Sequence, residues 1–435
     1  MKKVHVYKSL FLFILIGLVS VRFYYIHLLN LKNTFSEEIV YNNGDASHYL
    51  QIAGNIADFN VYSDNNSEVA TESATWRPPF WPLVLSFLFY ISNNPLVLVI
   101  LKSFIELVIL LSAMIFFKRK TDYKLFNLLP FLILFIEPYY LKYTVTFLSE
   151  SFTSVLILSL TLVFITLKQK KTTHFLIPIL SGLIILTHPV AIFFIITLFS
   201  FYVWFNFKNN IRTTIFHSIF FLMIILSWPV RNHIIFNKGF YLTASQGATF
   251  SKGWNKSVVT EFNNTDGDLA NESLNLKYID SKINDSSQKS TIDLSKLYKS
   301  GTISYIKTLT VNEALQIIII KIKSNFNPFP EKYKAGFLES AAIIFRILYL
   351  VTFFQLTYRI FNKGLNFSTI KDKIYIIIFS IFIGQTLMAT IIYTGLRFNA
   401  IYSLTLLFCF TYLNVDFIRE IYNKLFSRNI LKRIS

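Results

Sequence analysis

The chain has 435 residues, of which 53% are hydrophobic and 17% aromatic, and its mean hydropathy is +0.49. Because the apolar residues come in long blocks, this composition excludes a single soluble domain and predicts a polytopic membrane protein. The formal net charge of +18 does not indicate nucleic-acid binding, since Lys and Arg lie mainly beside the hydrophobic blocks, as the positive-inside rule expects. The single cysteine, Cys409, excludes an internal disulfide and a cysteine metal cluster.

The first predicted element is an apolar block, Ser9 to Leu29, which follows a short basic head and contains Arg22. A cleaved secretory signal would need a small-residue site after the block, and the sequence shows none there. We therefore predict a retained signal-anchor with its N-terminus inside. Arg22 then falls near the outer end, where it can reach the interface or meet a phosphate.

The loop from Asn30 to Pro79 is acidic, which suits the outside of the membrane. Within it, Ala46 to Phe59 carries apolar residues, beginning with Tyr49, at spacings of three and four, so it predicts a short helix on the membrane surface. Asp45 stands just before this helix. Spacing alone leaves two roles open for Asp45, a helix N-cap and a functional carboxylate.

A second short helix is predicted after a proline-rich start at Pro78, Pro79 and Pro82. The segment Phe80 to Ile91 is too short to span a bilayer and is rich in Phe and Trp. We therefore interpret it as a second interfacial helix.

The remaining spans are predicted to alternate in direction, because every basic cluster then falls on one side of the membrane. Together with Ser9 to Leu29 they make ten spans, with both termini inside. The other nine are Pro95 to Phe117, Leu125 to Tyr140, Thr144 to Leu167, Phe175 to Leu186, Val190 to Phe207, Thr213 to Val230, Phe337 to Tyr358, Ile374 to Tyr393 and Phe398 to Val415.

These spans divide the chain into three parts. Residues 1–230 form an N-terminal transmembrane module with a first external loop at 30–94, and residues 337–435 form the last three spans and a basic tail. Between them, residues 231–336 are predicted to be an external loop, in which Leu294 to Phe326 contains one or two helices. Val311 to Phe326 is apolar enough to lie in the interface. Asn-x-Ser/Thr triplets such as Asn263 to Thr265 could be glycan acceptors. However, a loop that is rich in Asn and Ser contains such triplets by chance, and we favour that interpretation.

Charged residues near the outer side are candidates for function, because a charge in apolar surroundings is costly and usually has a partner or a task. Glu150, about two turns into a predicted span, either pairs with Lys142 or Lys102 or takes part in function. Arg231 and Arg397 each follow an outward span, so they either snorkel or converge with other cations on a phosphate. The full set is Asp45, Arg77, Lys142, Glu150, His188, Arg231 and Arg397.

A series of motifs runs in a fixed order along most of the chain. It consists of Gly44-Asp45-Ala46 with Tyr49, Arg77-Pro78-Pro79-Phe80-Trp81-Pro82, Leu148-Ser149-Glu150-Ser151, Gly182 to Pro189, Trp228-Pro229 with Arg231-Asn232, Tyr305 to Phe329 with Lys321, and Arg397. This series resembles the GT-C glycosyltransferases. The resemblance is to the bacterial, family-39-like branch related to protein O-mannosyltransferases and lipid A aminoarabinose transferases.

The resemblance implies an all-α polytopic membrane protein with a GT-C-type bundle of about ten transmembrane helices. Two interfacial helices would lie in the first external loop, and a larger external loop would precede the last three spans. The implied activity is inverting transfer of a sugar from a polyprenyl-phosphate donor to a glycan, lipid or protein acceptor. The implied location is a bacterial inner membrane, with the site at its outer face, membrane lipids as further partners and no nucleic acid.

The resemblance also implies roles for particular residues. The first-loop acid, here Asp45, would be the catalytic base, and Glu150 matches a second acid near it. Donor phosphate would be bound by Arg77, Arg231, Arg397 and Lys142. Substrate would be contacted by Tyr49, His48, His188 and Asn232. His188 stands where the family often has a basic residue, which leaves its phosphate role open.

The resemblance gives little support for a metal. Many relatives carry an acidic pair in the first loop, whereas Asp45 lies between Gly44 and Ala46. No cofactor is expected, and a divalent metal stays open.

Two other classes of function stay open at this stage. A lipid-linked oligosaccharide flippase or transporter would carry charges along a path through the membrane, whereas here they gather at one face. An O-antigen polymerase or ligase would place its key Arg and His in the late loop rather than an acid in the first. The position of the charges favours the transferase.

Overall fold

The computed structural model describes residues 44–65, 67–121, 137–167, 174–207, 210–260, 272–278, 290–326, 337–364, 367–393 and 395–414, together with residues 16, 19, 20, 23, 24 and 27. The regular structure of these residues is helical. Most of the predicted span Ser9 to Leu29, the first part of Leu125 to Tyr140, the triplet Asn263 to Thr265 and the basic tail lie outside the described residues.

Fifteen α-helices are described in these ranges. They are α1 (Asp45–Phe59), α2 (Phe80–Phe89), α3 (Pro95–Thr121), α4 (Pro138–Thr144), α5 (Glu150–Ile165), α6 (Leu176–Thr187), α7 (Ile192–Phe207), α8 (Ile211–Phe236), α9 (Gln246–Gly253), α10 (Ser257–Thr260), α11 (Thr291–Thr308), α12 (Val311–Phe326), α13 (Phe337–Lys363), α14 (Ile370–Ile391) and α15 (Leu396–Leu413). Short 3₁₀ turns lie at Ser73–Trp76, Pro189–Ala191 and Glu272–Tyr278.

The apolar character of these helices identifies a helical membrane protein. Four described helices are long and apolar enough to cross a membrane: Pro95–Phe117, Pro189–Phe207, Ile211–Phe236 and Ile370–Ile391. In contrast, α5 has 16 residues and α6 has 12, fewer than the roughly 20 that a straight crossing needs. The count of ten spans therefore stays a prediction.

Both helices predicted in the first external loop are confirmed as helices. The helix α1 begins one residue earlier than predicted and turns a buried face of Tyr49, Leu50 and Ala53 toward α2. The helix α2 buries Trp81, whose indole Nε1 donates to the carbonyl of Phe147 at 2.7 Å. This bond ties α2 to the chain just before α5.

The predicted span Thr144 to Leu167 is wrong at its start, because its helix begins at Glu150. The chain instead forms the short helix α4 and then a non-helical loop, residues 145–149. Backbone carbonyls that are buried among apolar helices need hydrogen-bond donors. The ammonium group of Lys102 donates to the carbonyls at this break in the helix. Its Nζ lies 2.8 Å from the carbonyl oxygen of Tyr143 and 2.5 Å from that of Thr146.

Lys102 belongs to a small buried group that we call the loop-support cluster, made of Lys102, Glu106 and Ser151. The Ser151 hydroxyl donates to Glu106 Oε1 at 2.6 Å, and Lys102 Nζ lies 3.5 Å from the same oxygen. All three side chains are buried. The cluster holds the loop that leads into Glu150, so it fixes where α5 starts.

One or two helices are predicted in Leu294 to Phe326, and the structure has two, α11 and α12, of which α11 begins three residues earlier, at Thr291. Lys321 of α12 is buried, and its Nζ donates to the carbonyls of Thr390 and Ile392 at 3.1 Å each. A cation at the carboxyl end of a helix complements its dipole. Burial lowers the pKa of Lys321 to about 7. The contact holds α12 against the end of α14, close to Arg397 at the start of α15.

Candidate functional site

The first feature of the candidate site is the start of α1. Gly44 has a φ of +43°, in the region that favours glycine, and it turns the chain into the helix. Asp45 is the first helical residue, and Gly44 stands at the N-cap without a side-chain cap. The carboxylate of Asp45 therefore does not cap the helix. Its two oxygens accept hydrogen bonds from Arg77 Nη2 at 2.5 Å and from Arg397 Nη2 at 2.6 Å.

Glu150 joins the same group of charges. It is the first residue of α5, is 2% exposed, and its Oε1 lies 2.9 Å from Arg397 Nε. Lys102 binds loop carbonyls, and Lys142 is exposed, so the ion pair of Glu150 is with a cation that the sequence did not suggest for it. We call Asp45, Arg77, Glu150 and Arg397 the cavity cluster.

The two guanidinium groups determine the protonation of Asp45. Burial alone would raise the pKa of Asp45, but Arg77 and Arg397 outweigh it and hold that pKa well below its ordinary value. Asp45 is therefore ionised at neutral pH and is a weak proton acceptor while both guanidinium groups stay bound to it.

His48, predicted to contact substrate, lies behind Arg77. Arg77 Nε donates to His48 Nδ1 at 3.1 Å, and His48 Nε2 lies 3.1 Å from Asp64 Oδ2. The other oxygen of Asp64 accepts from the hydroxyls of Thr71 and Ser73 at 2.6 Å each. Sequence reasoning missed Asp64, because one more acid in an acidic loop carries no signal.

A cavity of about 330 Å³ opens beside the cavity cluster. This volume is at the lower end of the range of small-molecule sites, about 300–1,000 Å³. Its lining includes five of the predicted site residues, Asp45, Tyr49, Arg77, His188 and Arg397. The Arg77 guanidinium also lies over the Tyr49 ring, 5.2 Å from its centre. The remaining lining residues are Trp76, Pro78, Pro189, Val190, Ile192, Phe193, Leu242, Thr243, Ser245, Gln246, Ala248, Thr249, Lys252, Ile392, Tyr393 and Phe398.

One wall of the cavity is polar and comes from α9, which the sequence did not predict. Gln246, Thr249 and Lys252 follow one another at intervals of three residues, so consecutive members are neighbours on the helix surface, and all three line the cavity. Two glycines let α9 pack closely on its other sides. A Cβ at Gly247 would lie 1.8 Å from the carbonyl oxygen of Ser295, and one at Gly253 would lie 2.4 Å from the carbonyl carbon of Ile392.

His188 lies in the turn between α6 and α7, edge-on to the Phe398 ring at 5.7 Å. Burial, helped by the nearby charge of Arg397, lowers the pKa of His188 to about 3. Its ring is therefore neutral at physiological pH and offers no charge to a phosphate. The buried Nδ1 of His188 has no hydrogen-bond partner among the described residues, so it is available to a ligand.

Three further residues predicted for the site lie elsewhere. Arg231 stacks over the Trp228 ring at 4.6 Å and donates to Asn232 Oδ1 at 3.0 Å. Asn232 donates in turn to the carbonyl of Tyr241 at 3.2 Å. Lys142 is exposed on α4, near the Tyr143 ring. None of the three lines the described cavity, and their contacts with a donor stay predictions.

The side chains at Asp45 do not fit a metal ion. Both of its oxygens already face guanidinium groups, so a cation there would stand beside two positive charges. Across the ranges that the structure covers, there is no group of three or more His, Cys, Asp or Glu arranged to hold a metal.

Comparison with protein-family models, with curated proteins and with solved structures finds no match to this chain. The chemistry of the site must therefore be argued from its own groups. Two guanidinium groups beside a cavity can bind a phosphate through paired hydrogen bonds. A carboxylate between them can accept a proton once they release it.

Proposed function

We propose that the chain is a membrane glycosyltransferase of the GT-C type. It transfers a sugar, with inversion, from a polyprenyl-phosphate donor to a glycan, lipid or protein acceptor. The proposal includes ten spans, both termini in the cytoplasm, and a site at the outer face of a bacterial inner membrane. The observation that carries it is the cavity cluster, in which residues from the loop at 30–94, the start of α5 and the start of α15 meet beside one cavity.

The donor phosphate binds at Arg77 and Arg397. Both line the cavity, and both present a planar group that suits phosphate oxygens. When the bond between the sugar and the phosphate breaks, negative charge grows on the phosphate. Fixed positive charge at that position lowers the barrier, because it needs no reorganisation during the reaction.

The base is Asp45, and the donor itself makes it active. In the resting cluster both guanidinium groups suppress its basicity. An arriving phosphate competes for the same guanidinium groups, and each one that it draws away lets the pKa of Asp45 rise. The carboxylate then takes the proton of the acceptor hydroxyl or amine as that atom attacks the anomeric carbon and the phosphate leaves. Glu150 stays paired with Arg397 and keeps it in position.

The polar wall of α9 suits the sugar. Gln246 is exposed and Thr249 is half-buried, so an amide and a hydroxyl face the cavity from the side of α9. The Gln246 amide can pair with sugar hydroxyls in either direction, and the Thr249 hydroxyl, which donates to the carbonyl of Ser245 at 2.5 Å, can accept from one. A sugar attached to the bound phosphate thus has polar partners within the same cavity.

The transporter alternative has one observation in its favour, since the loop-support cluster places charge deep among apolar helices. Ser151 directly follows Glu150 and donates to Glu106 at 2.6 Å, which continues the line of polar groups. However, the Lys102 ammonium is used by loop carbonyls and the cluster is fully buried. These contacts support a structural role for the cluster and favour the transferase.

The test is transfer by the purified chain in nanodiscs, supplied with polyprenyl-phosphate sugars and candidate acceptors. Asp45→Asn is expected to reduce the rate about 10²- to 10⁴-fold, as for loss of a general base. Asp58→Asn is the matched control, because Asp58 lies on the same helix and is exposed. A wild-type rate in Asp45→Asn would remove the base role. Movement of the lipid across the bilayer without transfer would favour the transporter.

A further inference from the structure

The contacts behind Arg77 form a chain that the proposed transfer does not use. Asp64 and His48 lie 3.1 Å apart, and His48 and Arg77 lie 3.1 Å apart. At the far end, Arg77 Nη2 reaches Asp45 at 2.5 Å. The chain therefore runs from an acid in the loop between α1 and α2 to the carboxylate that faces the cavity.

The donors and acceptors in this chain fix the protonation of His48. Arg77 Nε carries a hydrogen and can only donate, so His48 Nδ1 must be the unprotonated acceptor. The proton of the neutral ring is then on Nε2, where it points at Asp64. Asp64 is a carboxylate and can only accept, so it selects this tautomer.

Asp64 is itself held firmly. Its Oδ1 accepts from Thr71 and Ser73, and its backbone N–H donates to the Thr71 hydroxyl at 3.2 Å. Asn55 of α1 binds the carbonyls of Ser63 and Asn65 on either side of it, at 2.8 Å each. The loop therefore presents Asp64 to His48 from a fixed position.

We propose that Asp64 and His48 are positioning residues for Arg77. By fixing the Nε2–H tautomer of His48, Asp64 keeps an acceptor facing Arg77 Nε, which aims the outer nitrogens of the guanidinium group at Asp45 and the cavity. Without this acceptor, a long side chain on a loop would sample several rotamers and lose entropy on binding a ligand. The inference rests on the proposed function, in that Arg77 binds the phosphate.

The decisive variant is Asp64→Asn in the full chain in nanodiscs. The amide oxygen can keep the bonds from Thr71 and Ser73, which leaves the amide N–H facing His48 Nε2. His48 must then accept at Nε2 and carry its proton on Nδ1, where it meets the N–H of Arg77. The ¹⁵N signals of histidine-labelled protein report this change of tautomer directly. We expect His48 to switch in Asp64→Asn and to stay unchanged in Asp58→Asn.

Binding of polyprenyl phosphate without a sugar measures the effect on Arg77. We expect Asp64→Asn and His48→Ala each to weaken binding about tenfold, which corresponds to about 1.4 kcal/mol. The double variant is expected to be no weaker than His48→Ala alone, because Asp64 acts through His48. If Asp64→Asn fails to fold, His48→Ala still tests whether Arg77 depends on its acceptor.

Three results would overturn the inference. One is an unchanged tautomer with wild-type binding in Asp64→Asn, and another is wild-type binding in His48→Ala. The third is equal weakening by Asp64→Asn with and without His48, as loosening of the loop would give. If the wild-type chain binds no polyprenyl phosphate, the proposed function fails. The tautomer measurement then still decides whether Asp64 sets His48.

Discussion

The cavity cluster and the loop-support cluster hold buried charge in different ways. In the cavity cluster, carboxylates and guanidinium groups neutralise one another beside an opening, so an anion can compete for their bonds. In the loop-support cluster, the cation is used by backbone carbonyls and the carboxylate by a hydroxyl, out of contact with solvent. A buried charge in an apolar bundle therefore indicates a functional site where a ligand can replace its bonding partners. It indicates a structural role where those partners are enclosed in the fold.

The largest expected effect comes from removing the ammonium of the loop-support cluster. Lys102→Met leaves the carbonyls of Tyr143 and Thr146 and the carboxylate of Glu106 without their cation. Breaking a buried ion pair in this way costs about 3–5 kcal/mol of stability. We expect a large fall in the unfolding temperature of the chain in detergent. The control is Lys142→Met, since Lys142 is exposed on α4 and its replacement is expected to change stability by less than about 0.5 kcal/mol.

A smaller effect on stability, with a clear effect on function, is expected from the buried acid of the cavity cluster. Glu150→Gln leaves Arg397 without one of its two carboxylates. Without this opposite charge the guanidinium group of Arg397 is held less firmly, so we expect transfer to slow by about 10- to 100-fold, which corresponds to about 1.4–2.7 kcal/mol. Steady-state kinetics of transfer and the unfolding temperature should be measured on the same samples. Loss of folding without a specific loss of rate would mean that the two clusters do not differ as argued.

From the sequence, members of the cavity cluster could be proposed as functional residues, but the loop-support cluster could not be recognised as a structural unit. Asp45, Arg77 and Arg397 each stand in a short motif that could be identified in the sequence, which is why they could be proposed as a group. Glu150 could be proposed too, but its partner could not, because residues that meet in space need not be near in sequence. Asp45 and Arg397 are 352 positions apart.

Other parts of the fold left no mark in the sequence. The break before Glu150 falls within the predicted span Thr144 to Leu167, because Lys102 from another helix supplies the donors that allow it. The polar wall of α9 lies in a polar segment where no alternation of polar and apolar residues distinguishes one face. Both depend on tertiary partners, which periodicity does not encode.

The smallest effect expected, when it is taken over a single pH unit, concerns the histidine at the cavity. His188 has a pKa of about 3 in the folded chain against 6.5 as its ordinary value. Between these values the unfolded chain binds a proton at this position and the folded chain does not. The free energy of unfolding must then fall as pH is lowered from 6.5 towards 3, by at most about 1.4 kcal/mol per pH unit. The pKa of Asp45 is also lowered, but its contribution is complete above 3.8 and declines only below that value.

The two contributions can be separated with one variant. His188→Gln keeps a polar side chain but cannot take up the proton, so the slope of stability against pH between 6.5 and about 4 should flatten while the loss below 3.8 remains. The measurement is thermal unfolding of both proteins across a pH series in the same detergent. Parallel curves would mean that His188 is as easily protonated in the folded chain as in the unfolded one. The cavity side of the bundle would then be better hydrated than its contacts indicate, and the bonds within the cavity cluster correspondingly weaker.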